Sequence, residues 1–97
     1  MSFIILINPQ AFDDIDKAID YYNEQQAELG NKFLSAIEKE LDSLSINPFH
    51  QIRYKDYKML RIRKFPYLLV YYISEDNHTV YISAVFHGLQ HPRKRPK

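Results

Sequence analysis

The sequence contains no cysteine and no tryptophan, and only two glycines and five prolines among 97 residues. Without cysteine there is no disulfide framework, no thiolate zinc site and no cysteine nucleophile, and a reducing compartment fits. Two glycines, Gly30 and Gly88, cannot build a glycine-rich phosphate loop. So little glycine and proline also argues against a low-complexity or disordered chain. Long apolar runs are missing too: Met1 through Ile7 is apolar but gives way to Asn8-Pro9, too short for a signal segment or a membrane span. The expectation is a soluble, cytoplasmic protein without membrane association.

What is present is ample material for a core. Hydrophobic residues make up 45% of the chain, with eight tyrosines and six phenylalanines. That length suits one domain spanning residues 1–97, with a loosely held basic tail from about residue 88. The net charge of +1 conceals a strong polarity. Residues 1–50 set Lys17, Lys32 and Lys39 against nine acids, whereas residues 51–97 set ten bases against Asp56, Glu75 and Asp76. Such a chain presents one surface suited to polyanions and another that repels them, unless both are merely solvated.

Periodicity divides the chain into a helical half and an alternating half. Residues 3–7 read as a short β-branched strand. Asn8 then serves as N-cap and Pro9 as first helical residue, since proline's missing N–H is not needed there. Phe12, Ile15, Ile19 and Tyr22 recur at helical spacing with Ala18 beside them, and an acidic first turn suits the helix dipole. Gly30 is expected to close this helix in the left-handed conformation, with Asn31 opening the next. Phe33, Ile37, Leu41 and Leu44, with Leu34 alongside, make the second apolar stripe, which ends at Asn47-Pro48. From Ile52 the pattern alternates: 52–54 and 58–62 read as short strands or one bent strand, with Leu60 and Ile62 inward and Arg61 and Arg63 outward. Residues 67–73 are apolar on both faces and so central. Glu75 to His78 forms a hairpin loop before a last strand with Val80, Ile82, Ala84 and Phe86 on one face. The order β-α-α-β-β-β predicts an α+β fold, a mainly antiparallel sheet with an antiparallel helical hairpin on one face and the other face open.

The stretch from Tyr57 through Tyr72, followed by Val80 through His87, resembles the RelE/ParE toxin family, as does the framework of Ala18 to Tyr22, Gly30, Phe33 and Leu44 to Pro48. The resemblance covers nearly the whole chain. It implies the toxin of a bacterial type II toxin-antitoxin, or plasmid stabilisation, module: a protein that halts growth until a co-expressed antitoxin wraps it. Lys58 and Lys64 stand where relatives often carry arginine, and His87 matches a histidine that commonly ends the last strand. The chain departs from the pattern at Gln90, where an arginine is usual, leaving Arg93 to supply that phosphate contact.

Arg53, Lys55, Lys58, Arg61, Arg63 and Lys64, interleaved with Tyr54 and Tyr57, combine cations for phosphates with flat rings for splayed bases. Cleavage by a 2'-hydroxyl needs a proton acceptor, a stabiliser for the charged phosphorane and a proton donor. Lys58, Arg61 and His87 are the candidate catalytic set, with Arg53, Tyr54, Arg63, Lys64 and Arg93 binding the target. The structural alternative is an edge strand whose outward charges prevent aggregation. His87 and His91 lack a third ligand partner, so neither metal nor other cofactor is expected. Asp13, Asp14, Asp16 and Asp20 decorate the exterior of the first helix. The resemblance implies one of three functions: a metal-independent endoribonuclease acting on ribosomal mRNA, a DNA gyrase inhibitor of the ParE type, which is slightly favoured, or a family member that only binds its antitoxin. Self-association through exposed tyrosines stays open. Convergence of Lys58, Arg61 and His87 is what would separate nuclease from inhibitor.

Overall fold

In the computed structural model, which describes residues 2–49, 52–54 and 57–88, with 52–54 described by backbone alone, the first strand β1 (Ile4–Ile7) leads through Asn8 into helix α1 (Pro9–Gln25). Asn8 takes the extended N-cap backbone and Pro9 the first helical position. Starting at Pro9 leaves no acid in the first turn, because the aspartates begin only at Asp13, so the expected favourable charge at the helix dipole is not realised there. Ala11, Ile15, Ala18 and Tyr22 form the buried stripe of α1, whereas Phe12, expected on it, is 55% exposed.

Helix α2 (Leu29–Ile46) follows after three residues. Gly30 is not the cap that ends α1. It lies inside α2, and the left-handed residue is Glu28, with φ 70°. A Cβ on Gly30 would stand 2.6 Å from Asn23 Oδ1 and 2.7 Å from the Ile19 carbonyl oxygen, so glycine here permits close approach of the two helices. Its N–H, otherwise unpartnered in a first helical turn, donates to Asn23 Oδ1 at 2.9 Å. Phe33, Ile37 and Leu44 are buried beneath α2, which stops at Asn47 before Pro48.

Four further strands follow: β2 (Ile52–Tyr54), β3 (Tyr57–Arg61), β4 (Tyr67–Ser74) and β5 (Thr79–His87). β2 and β3 are two strands paired antiparallel, Ile52 opposite Met59, and not one bent strand. The five-stranded sheet runs β1-β5-β4-β3-β2, antiparallel except where β1 lies parallel to β5. The helices cover one face, giving the expected α+β architecture with β4 at its centre. Tyr22, Phe33, Phe65 and Tyr67 meet with ring centroids 5.1–5.9 Å apart, mostly edge to face, and join the helices to the β3–β4 end of the sheet. Midway along β4, the Tyr71 hydroxyl donates to the Pro48 carbonyl at 2.8 Å. None of the described helices is long and apolar enough to cross a membrane.

Candidate functional site

Cross-strand partners point to the same side of a sheet, so the register assigns every described strand residue to a face. Buried Leu69 and Tyr71 mark the helix-covered side of β4. Leu68, Val70 and Tyr72 therefore lie on the open side, together with their partners on β3 and β5. Across this face runs an unbroken row from β1 to β3: Leu6 beside Tyr81, Tyr81 beside Tyr72, and Tyr72 beside Tyr57. The Tyr72 and Tyr81 rings stack at 5.0 Å and 18°, and Tyr57 meets Tyr72 edge-on at 5.4 Å. Ile4, Leu6 and Tyr57 at the ends of the face are 57%, 48% and 39% exposed. A second row, Met59, Val70 and Ala84, and a third, Arg61, Leu68 and Phe86, complete it.

The second and third rows depend on a bulge. Tyr71 pairs with Ile82 while Val70 pairs with Ala84, so Ser83 is an extra residue in β5. The bulge inverts the alternation beyond it. Val85, 2% exposed, takes the core position expected for Ala84 or Phe86, and these two turn to the open face. Asp14 braces the strand just beyond it: its Oδ2 accepts a hydrogen bond from the Val85 N–H at 2.9 Å. Of the four aspartates read as helix decoration, Asp14 instead reaches the sheet. No periodicity in the sequence marks this contact, because it joins residues 71 positions apart.

The candidate catalytic set does not assemble. Arg61, exposed on the open face, pairs with Leu68 and borders a small cleft of about 150 Å³ with Pro66 and Gly88. Lys58 pairs with Tyr71 on the opposite face, where its Nζ donates to the Phe49 carbonyl at 3.1 Å. It pins the α2–β2 loop beside the Tyr71–Pro48 bond. His87 pairs with Tyr67, also away from Arg61, with ring centroids 5.3 Å apart. Lys58 and His87 sit opposite β4 residues four apart, a separation of roughly 13 Å along the strand. Alternation alone already sets Lys58 on the side of Leu60 and Ile62, opposite Arg61; the basic group gathers residues by type across both faces.

Arg63 and Lys64 lie in the β3–β4 turn, Lys64 with φ 72°, and both border a groove against α2 instead of the open face. Arg53 and Tyr54 are opposite Lys58 and Tyr57 by backbone register. Lys55 and Arg93, and the tail beyond Gly88, lie outside the described residues; Gly88 itself donates its N–H to the Pro66 carbonyl at 2.6 Å. On the helix side, burial raises the phenol pKa values of Tyr22, Tyr67 and Tyr71. These groups stay protonated at neutral pH and hold structure. The functional candidates that the sequence reading missed are Leu6, Tyr72, Tyr81 and Phe86, whose shared face only the pairing and the bulge reveal.

The family model described as ParE toxin of type II toxin-antitoxin system, parDE, matches residues 5–92. No curated protein matches by sequence. Among solved structures, the chain is similar to a chain of the chromosomal ParDE system from P. aeruginosa, with TM-score 0.76, 14% identity, and coverage of 89% of this chain and 96% of that one. A mutant of E. coli toxin RelE in the free state gives TM-score 0.71 at 18% identity, over 95% and 90% of the two chains. The RelBE2 toxin-antitoxin complex from Mycobacterium tuberculosis gives 0.65 at 22% identity, over 90% and 92%. At such identities these three establish the shared fold.

Proposed function

This chain belongs to the ParE toxin family of type II toxin-antitoxin systems, and from that premise we propose that it arrests growth by docking its open sheet face on a protein target, DNA gyrase, without cutting RNA. The make-up of that face carries the reading: among the described residues it holds one cation, Arg61, and no acid, in a field of tyrosine and aliphatic side chains. Affinity for a nucleic-acid backbone comes from several cations, each displacing condensed counterions. Strand cleavage further needs acid-base groups within hydrogen-bond reach of one phosphate. Lys58 and His87, on the far side of the sheet from Arg61, do not meet that condition. Protein interfaces, in contrast, are enriched at their centres in tyrosine, methionine and arginine and depleted in lysine and carboxylates. The Tyr57–Tyr72–Tyr81 row with Met59 and Arg61 has that composition.

Neutralisation falls to a cognate antitoxin that covers the same face, and the solved relatives include toxin-antitoxin complexes. The place of action is the cytoplasm, where gyrase works. The test is to induce the protein alone and follow thymidine and amino-acid incorporation over the first minutes, then to add purified protein to a supercoiling reaction. Thymidine incorporation falls first, supercoiling is inhibited, and Tyr72→Ala combined with Tyr81→Ala weakens inhibition by roughly 30-fold, as loss of an interface hot spot does. Early loss of protein synthesis with cleaved ribosomal mRNA would instead make the chain a nuclease.

A further inference from the structure

Strand β1 stands at the end of the sheet, and its pairing with β5 engages only one side of its backbone. The Ile4 N–H donates to the His78 carbonyl at 2.9 Å and the Asn8 N–H to the Ile82 carbonyl at 3.0 Å, so the even-numbered residues turn their peptide groups toward β5. Successive residues of a strand alternate, so Ile5 and Ile7 turn their N–H and carbonyl groups to the outer edge. Among the described residues no strand pairs with that edge. Edge strands are ordinarily blunted by lysine, proline or a bulge. Residues 4–7 are Ile-Ile-Leu-Ile in unbroken register with β5, and carry none of these. Apolar side chains flank the edge. Ile4 and Leu6 are exposed on the open face, and Ile46, next to the Ser45 carbonyl that accepts from the Phe3 N–H, is 72% exposed.

We infer that this edge pairs with the same edge of a second copy of the chain, antiparallel, about a two-fold axis at Leu6. The length of the free edge selects this occupant. The Phe3 N–H is committed to Ser45, and the chain leaves the edge at Asn8-Pro9 to enter α1, so only Ile5 and Ile7 offer their backbone groups. A longer foreign strand gains no bond beyond these, whereas two copies offer the same short set to each other. With Leu6 opposite its counterpart, Ile5 of each copy faces Ile7 of the other. Each such pair exchanges two hydrogen bonds, and every outward group of β1 is satisfied. The two Leu6 residues form the closer, non-hydrogen-bonded pair, with Cα atoms about 4.5 Å apart, and cover each other's side chains. The strand carries no charge, so the pairing brings no like charges together. An axis perpendicular to the sheet leaves both open faces on one side. Two five-stranded sheets become one, and the rows from Leu6 through Tyr81 and Tyr72 to Tyr57 run end to end across it. The inference does not rest on the gyrase reading, because it concerns the edge and not what the open face binds.

The chain contains no cysteine, so a single introduced thiol reports on the axis. Leu6→Cys sets two thiols opposite each other within disulfide reach, whereas Ile4→Cys sets them about 13 Å apart along the strands, because residue 4 lies opposite residue 8 of the other copy. Under mild oxidation of the full chain, Leu6→Cys gives a covalent dimer roughly tenfold faster than Ile4→Cys, or more. Sedimentation equilibrium finds the wild-type chain dimeric and Leu6→Lys monomeric, with circular dichroism showing that the lysine variant is folded. Cross-linking through Leu6→Cys is unchanged when Tyr72→Ala and Tyr81→Ala are added. Equal cross-linking rates at positions 4 and 6, or a wild-type chain that sediments as a monomer, overturns the proposal. So does loss of cross-linking in the chain with the two tyrosine substitutions, which would mean that the copies pack face to face.

Discussion

Gly30 and Tyr71 illustrate how single positions hold the helical hairpin to the sheet. An alanine at Gly30 would gain about 1 kcal/mol of helix propensity. Its methyl group would, however, stand 2.7 Å from the Ile19 carbonyl oxygen, a backbone atom that cannot move without α1. Gly30→Ala is therefore expected to destabilise the protein by roughly 1–3 kcal/mol, the usual range for overpacking, as read from urea unfolding. A stabilised protein would mean that the helices separate more easily than their packing implies. Tyr71→Phe keeps the packing but strands the Pro48 carbonyl, and is expected to cost about 1–2 kcal/mol. Glycine at position 30 was conspicuous in the sequence, but its role was misread: a helix end and a helix crossing both favour glycine, and only the neighbouring turn of chain distinguishes them.

Among the elements, β5 shows most clearly what alternation can and cannot convey. Its existence, length and central partner β4 followed from the apolar pattern, as did α1 and α2 with their boundaries near Pro9 and Pro48. The extra residue at Ser83 did not, because a bulge leaves composition unchanged and shifts only the phase. The misplaced phase puts Ala84 and Phe86 on the face of Val80 and Ile82, whereas the bulge turns both to the open side. Asp14→Ala removes the carboxylate that holds Val85 and is expected to cost about 1.5–3 kcal/mol, the range for a hydrogen bond to a charged group, with Asp14→Asn milder because an acceptor oxygen remains. Thermal denaturation of the two variants checks the order. Equal stability of wild type and Asp14→Ala would show that the sheet holds the bulge unaided.

For the molecule as a whole, the buried phenols predict an alkaline limit. Tyr22, Tyr67 and Tyr71 have folded-state pKa values raised by burial. Tyrosine in the unfolded chain titrates near 10. Below about pH 10 both states keep these protons and stability is unaffected. Above it the unfolded chain releases them first, so it binds fewer protons than the folded one and stability falls as pH rises through the folded-state values. Denaturant midpoints measured from pH 8 upward should decline beyond about pH 10, with a shallower decline in Tyr71→Phe; parallel curves for the two proteins would remove Tyr71 as a cause. The charge asymmetry between the halves was legible in composition, but where its cations gather was not. Among the described residues, Arg63 and Lys64 fall in the β3–β4 turn, Lys32 and Lys39 on α2 and Lys58 against Phe49, and Arg61 is the one cation on the open face. The parallel pairing of β1 with β5 has a further consequence for synthesis. Residues 4–7 have no strand partner until residues 79–82 have been made, so the contact that closes the sheet is among the longest in sequence and its loop-closure entropy delays it. During translation the helical hairpin can form early, while the tyrosine row that spans β1 to β3 is completed only once residues 79–82 have been made. A nascent chain interrupted before residue 79 is therefore unable to present that surface.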